Sequence, residues 1–303
     1  MKFQNRNRWT RFLLVSFAIM AVALVLSIAG RGLNLGVDFT GGTLMTYDMG
    51  EAFQVSDIEK VLADNAVANP QIAKIGSEET QVQIRISDEF NTDALREALE
   101  GTLGETYPGL QYIDITRVGA VAGAELVRNA IQSMLWAAAL MLLYIAIRFD
   151  LFMGLAAVIG LAHDIAIMVS FSVILRNAIR IETTYIAALL TIVGYSINNT
   201  IIIFDRIREN EHKASLRSME PGALVDLSVG ESLSRTINTS VTTLITIVTL
   251  YILGVDSIRQ FGLPLIIGIV SGIYSSNLIN GYVWAALMGK RKKSQNVKAK
   301  ATA

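Results

Sequence analysis

Six long apolar stretches constrain this chain more than anything else in it: residues 12–30, 130–147, 151–175, 183–204, 236–255 and 260–289. Five hold no charged side chain, and the third holds one carboxylate, Asp164. In a hydrocarbon layer about 30 Å thick the backbone has no water to bond, so only a helix, rising about 1.5 Å per residue, satisfies it across that distance. Each stretch is long enough. Composition agrees: 17% of the 303 residues are charged and mean hydropathy is +0.46, where a water-soluble domain carries roughly 25% charge. The first stretch, ending in Ser27-Ile28-Ala29, also has the form of a cleaved signal peptide. Its 19 residues exceed the roughly 7–15 of such a segment and favour a retained span.

Basic residues set the orientation. Lys2, Arg6, Arg8 and Arg11 precede the first span, and Arg206, Arg208, Lys213 and Arg217 lie between the fourth and fifth, with Arg235 at the mouth of the fifth. Lys290, Arg291, Lys292, Lys293, Lys298 and Lys300 form the tail. With six spans all of these fall on one side, so both termini are expected in the cytoplasm. The short connections opposite hold only Arg176, Arg180 and Arg259. The resulting division is a tail and first span over 1–30, an extracytoplasmic domain over 31–129, five spans over 130–289 with a cytoplasmic loop at 205–230, and a basic tail over 290–303. Equal totals of 26 basic and 26 acidic residues exclude a generally basic nucleic-acid binder, and the absence of cysteine excludes disulfides and thiol chemistry.

The block 31–129 carries 7 basic and 16 acidic residues, a net of −9. Val82, Ile84 and Ile86 alternate with Gln81, Gln83 and Arg85, and Ile113 and Ile115 alternate with Tyr112 and Asp114; both are the period of a half-buried strand. Ser56-Asp57-Ile58-Glu59 reads as a capping box opening a helix, and a second helix starts near Thr92 with Leu95, Ala98, Leu99 and Leu103 on one face. With strands at 43–49 and 71–76 the order is β-α-β-β-α-β, a ferredoxin-like α+β domain.

Ionisable groups inside a span usually face a protein interior or a water-filled cavity. Asp164 is near mid-span and is the first candidate, with His163 beside it. Asn198 and Asn199 suit interhelical hydrogen bonding, and Arg235 suits either snorkelling or a buried role. Gly268, Gly272, Ser276 and Asn280 recur every four residues, as a close helix contact requires, and Gly41-Gly42 suits a tight turn into the first strand. Two histidines and no hydrolase or phosphate-cradling motif leave enzyme chemistry unsupported, and no cofactor or metal is expected. An intramembrane hydrolase built on His163 and Asp164 would lack a nucleophile pair at matching depth.

Three segments resemble the SecF family of the bacterial protein-export machinery: Gly36-Val37-Asp38-Phe39-Thr40-Gly41-Gly42-Thr43, Leu161-Ala162-His163-Asp164-Ile165, and VGYSINNTIIIFDRIREN at 193–210. The resemblance implies a non-enzymatic subunit in the cytoplasmic membrane, the six-helix half of a resistance-nodulation-division type assembly whose other half is a SecD homologue. Beside the SecY-E-G channel it would draw exported polypeptides outward, in contact with membrane lipids, using an ion gradient. It implies ion coupling at Asp164, His163, Asn198, Asn199 and Arg235, a signature loop at Asp38, Gly41 and Gly42, and a cytoplasmic contact at Asp205, Arg206, Arg208 and Glu209. One departure stands out. The family pattern has Asn-Asp where this chain has Asn198-Asn199. An amide does not titrate, so a proton must be carried by Asp164 or by a SecD carboxylate, or else amide and hydroxyl oxygens from Asn198, Asn199 and Thr200 hold sodium. The alternative reading is half of an exporter of lipids or small molecules.

Overall fold

The computed structural model describes residue 5 and residues 8–67, 70–75, 80–86, 91–216 and 218–289. Lys2, Arg6, Arg217 and the basic tail 290–303 lie outside the described residues. Among the described residues six helices are long and apolar enough to cross a membrane. They are α1 (Trp9–Ile28), α5 (Ala120–Arg148), α6 (Leu151–Ile174), α7 (Thr183–His212), α8 (Pro221–Leu253) and a sixth span, Ile258–Gly289. The sixth begins as α9 (Asp256–Ser275), passes through one π turn at Ser276–Asn280 and ends as α-helix. The chain is a multi-pass membrane protein.

Burial sorts the six. About half or more of α6, α7 and the sixth span is buried within the chain, whereas α1, α5 and α8 keep most of their surface outward. The inner packing follows from small residues. A Cβ on Gly268 would stand 2.4 Å from Ile192 Cγ1, and one on Gly272 would stand 3.3 Å from Ser196 Cβ. The four-residue row on the sixth span therefore closes a contact with α7 inside this chain.

Two elements run further than the apolar stretches. α7 continues eight residues past Phe204, and α8 begins fifteen residues before the apolar stretch at Thr236. Most of 205–230, expected as a loop, is consequently helical, with a short 3-10 turn at Ala214–Leu216 between the two ends. Polar pairing holds the ends together: buried Asn210 donates from Nδ2 to Ser228 Oγ at 3.1 Å and to Glu231 Oε2 at 2.8 Å. Likewise α5 starts at Ala120, so the last ten residues of the 31–129 block belong to the helix of the second span.

The outer domain contains a one-turn helix α2 (Val37–Thr40), strands β1 (Gly42–Asp48), β2 (Gln71–Ile75), β3 (Gln81–Ile86) and β4 (Gln111–Val118), and helices α3 (Val55–Asp64) and α4 (Thr92–Thr106). All strand pairs are antiparallel, in the order β2-β3-β1-β4. Met45, Tyr47, Val82, Ile84 and Ile86 pack from the sheet against Ile58, Leu62, Leu95 and Leu99 of the helices. Asn91 caps α4, its Oδ1 accepting from the amides of Asp93 and Ala94. The capping box expected at Ser56–Glu59 does not form. Gln54 is the capping residue, Ser56 already lies inside the helix, and Ser56 Oγ contacts Asp57 Oδ1 at 3.5 Å. The α3 start is tied instead to Tyr107, whose hydroxyl accepts from the Gln54 amide and donates to Asp57 Oδ2 at 2.6 Å.

Overpacking a tight helix crossing costs about 1–3 kcal/mol. Gly268→Val should therefore lower the thermal unfolding temperature measured by circular dichroism in detergent micelles. Gly101→Ala, where an added Cβ meets open space, should raise stability by about 0.5–1 kcal/mol.

Candidate functional site: a carboxylate inside the helix bundle

Asp164 lies thirteen residues after Leu151, about 20 Å along α6 at 1.5 Å per residue, and is fully buried. Its oxygens meet four partners. Oδ1 accepts from Ser271 Oγ at 2.7 Å and faces His163 Nδ1 at 3.0 Å. Oδ2 accepts from Ser196 Oγ at 2.5 Å and from Ser275 Oγ at 2.8 Å. Ser271 and Ser275 are four residues apart on α9, so the helix period aims both at one point. An ionised carboxylate offers about four acceptor positions, and all are engaged here.

His163 lies about 100° around the helix from Asp164. Its ring instead turns back to its neighbour and joins a fourth helix, with Nε2 2.7 Å from Ser16 Oγ on α1. With Asp164 ionised, Nδ1 carries the ring proton and Nε2 accepts from Ser16. Tyr274 stacks on the ring at 6.3 Å between centroids and anchors itself by donating to Phe12 O at 2.5 Å. The line Ser16–His163–Asp164 thus leads from the α1 side of the bundle to its middle.

A second polar tier lies toward the α8 side. Buried Asn199 donates from Nδ2 to Ser240 Oγ at 3.2 Å, and Asn280 donates to Thr200 Oγ1 at 2.9 Å. Thr236 Oγ1 donates to Asn277 Oδ1 at 3.1 Å. The amide oxygens of Asn199 and Asn280 are buried without a hydrogen-bond partner among the described residues. Asn199 and Arg235, which residue counting puts at comparable depths, do not face one another. Arg235 is exposed on the outer face of α8, five residues and about 140° around the helix from Ser240, and Asn198 is also exposed.

The remaining candidates occupy the two ends of the bundle. Asp38 reaches the start of α7, its Oδ2 accepting from the amide and the hydroxyl of Thr183 at 2.8 Å each. It caps a helix whose own capping residue, Glu182, supplies no side-chain bond. Gly36 donates to Ile181 O at 2.7 Å, and a Cβ there would stand 2.7 Å from Glu182 Cγ. Gly41 and Gly42 turn the chain into β1 at φ values of +72° and +119°, which L side chains resist. At the opposite end Arg148 pairs with Asp205 at 4.0 Å, Arg208 donates to Arg148 O at 2.7 Å, and Arg206 bridges Glu209 at 2.8 Å and Glu231 at 3.6 Å. This run therefore joins α5, α7 and α8.

Sequence reasoning missed Ser16, Ser196, Ser271 and Ser275. The usable signal was the four-residue spacing of Ser271 and Ser275, one residue out of step with the conspicuous row at 268, 272, 276 and 280.

An α-helical bundle with a mid-span carboxylate cluster and an α+β domain at one end defines a polytopic membrane protein with an internal ionisable site. The profile described as "Protein export membrane protein SecD/SecF, C-terminal" matches residues 98–290, and that of the "SecD/SecF GG Motif" matches residues 26–50. The chain belongs to the SecD/SecF family of protein export membrane proteins. It is 35% identical to a protein translocase subunit SecF from Haemophilus influenzae, over 86% of this chain and 78% of that one. It is 34% identical to a SecF from Acidaminococcus fermentans, over 92% and 96% respectively. A crystal structure of SecDF from Thermus thermophilus, described as a translocon-associated membrane protein, matches with a TM-score of 0.80 and 33% identity. It covers 97% of this chain, which spans only 39% of that longer one.

Losing one hydrogen bond to a buried charge costs about 1.5–3 kcal/mol. Ser271→Ala should destabilise the purified protein by that amount in thermal unfolding. Asn198→Ala, on an exposed position, should stay within about 0.5 kcal/mol of the parent.

Proposed function

We propose that this chain is an accessory subunit of the Sec protein translocase. It promotes export of polypeptides across the cytoplasmic membrane with a SecD partner beside the SecY-E-G channel, and an ion gradient drives it through Asp164. The subunit role is supported by the SecF names of relatives that match most of the chain and by likeness to SecDF. The pairing with SecD is further supported by the exposed α8 face carrying Arg235 and Asn238, polar side chains expensive to leave against lipid. The ferredoxin-like assignment of the outer domain is supported by its β-α-β-β-α-β order and by the sheet order β2-β3-β1-β4.

The observation that carries the coupling is the set of hydroxyls around Asp164. A serine hydroxyl both donates and accepts. When the carboxylate gains a proton, one surrounding Ser Oγ turns from donor to acceptor, and no backbone group need move. The site thus holds either protonation state, and His163 with Ser16 supplies the route for the proton from the α1 side. Asn199 only hydrogen-bonds, so it positions α7 against α8 and carries no charge.

Reconstitution with a SecD homologue and the SecY-E-G channel tests this reading. Asp164→Asn should reduce gradient-dependent export to background under a proton gradient, whereas Asn199→Ala should keep most of it. Abolition by Asn199→Ala with Asp164→Asn intact would overturn the assignment, and loss under a sodium gradient alone would move the site to the Asn199 tier. Orientation is checked separately in this cysteine-free chain. A membrane-impermeant maleimide should label Ser56→Cys and spare Ser215→Cys on intact cells, and the reverse pattern inverts the topology.

A further inference from the structure

The sheet of the outer domain buries one face under α3 and α4. Its other face looks onto residues 175–182, the connection between α6 and α7, and the two enclose a pocket of about 380 Å³. Gln71, Gln83 and Arg85 line it from the sheet, and Arg176, Asn177 and Arg180 from the connection. Arg85 is 5% exposed. One of its terminal nitrogens donates to Leu35 O at 2.6 Å and to Gln71 Oε1 at 3.2 Å, yet its Nε is buried with no partner among the described residues. Arg180 donates to Gln83 Oε1 and lies 3.5 Å from Glu182. Among the described residues neither Arg85 nor Arg176 is ion-paired. Of the nearby acids, Glu182 is taken by Arg180 and Asp38 by Thr183. Burial, and then the charge of Arg180, hold the Arg85 guanidinium below its ordinary pKa. Between the outer domain and the α6–α7 connection, three cations have therefore gathered in one polar pocket, with two carboxylates near them, Glu182 and Asp38.

We propose that this pocket is an anion site for a phosphate group, presented either by a phospholipid headgroup or as free phosphate. Guanidinium groups approaching from the sheet and from the connection suit a tetrahedral anion with three accepting oxygens, and a phosphate oxygen would give the buried Nε of Arg85 the acceptor it lacks. Depth agrees with a headgroup. α6 has 24 residues, about 36 Å at 1.5 Å per residue, so a hydrocarbon core of about 30 Å leaves the 175–182 connection level with lipid phosphates. Both leaflets present phosphates, so the site does not depend on the orientation of the chain. Once filled, it fastens the outer sheet to the α6–α7 connection, close to where Asp38 already holds it.

The absence of cysteine supplies the test. Ala73 lines the pocket and is only partly buried. The full chain carrying Ala73→Cys, in phosphate-free maltoside micelles, is reacted with N-ethylmaleimide while dihexanoyl phosphatidylglycerol or inorganic phosphate is titrated in. The alkylation rate should fall saturably, and Arg176→Gln should weaken that protection about tenfold by removing one charge-assisted contact. Protection at much lower lipid than phosphate concentration identifies the headgroup as the source, and equal protection identifies free phosphate. Lack of protection by both probes overturns the proposal. So does protection that sodium chloride reproduces at matched ionic strength, or that Arg176→Gln leaves unchanged. Arg85→Gln should abolish protection where it folds, and Arg176, outside the sheet, keeps the test decisive where it does not.

Discussion

A carboxylate in the middle of a membrane span must be surrounded by hydrogen-bond donors, and in this chain that demand organises the bundle. By insertion scales an Asp at a span centre costs about 2.5–3.5 kcal/mol when unassisted. Asp164 avoids this by drawing donors from α7 and α9 directly and from α1 through His163. Those bonds fix the rotation of each helix about its own axis as well as its neighbours. The glycine contacts of α9 with α7 then become possible because the serine face and the glycine face lie side by side on one helix. Among the described residues α5 and α8 give Asp164 no hydrogen bond, and they are spans with most of their surface turned outward.

The outer domain is joined to this centre by a short path. Asp38 and Gly36 hold the start of α7, and Asn34 Nδ2 donates to Arg176 O just past the end of α6. Leu35 and Ile181 form a single parallel bridge between the same two segments. α6 carries Asp164 and α7 carries Ser196. The signature loop is therefore bound to the two helices that share the shortest hydrogen bond of the buried cluster, and the fixed dihedrals of Gly41 and Gly42 carry that hold into β1.

Much of this was legible beforehand, and the reasons are physical. Spans declare themselves by length and lack of charge, and Val82, Ile84 and Ile86 or Leu95, Leu99 and Leu103 by periods of two and about 3.6. Asp164 declares itself because a lone charge in an apolar stretch has no cheap explanation. The serines around it do not. A serine in an apolar helix can satisfy itself on its own backbone, as Ser172 does on Met168 O, so composition gives no sign of which serine is aimed inward. The burial of Arg85 was not legible, because alternation tells two faces of a strand apart without saying what covers the second. Arg235 and Asn199 failed as a pair for a related reason: residue counting gives depth along a span but not direction around it.

The π turn at Ser276–Asn280 has a consequence of phase. A π turn takes in an extra residue, and at 3.6 residues per turn that residue offsets the two ends of the helix by about 100°. Were the sixth span uninterrupted, the line through Ser271 and Ser275 would return to the same face at Tyr282. Instead Tyr282 donates to Asp226 of α8 at 2.7 Å, and Gly281 lies against Val225. The span is two screws of the same pitch cut from different starting points. Its first thread is matched to the carboxylate and its second to the foot of α8, so one continuous helix serves two neighbours that a single thread would set in competition.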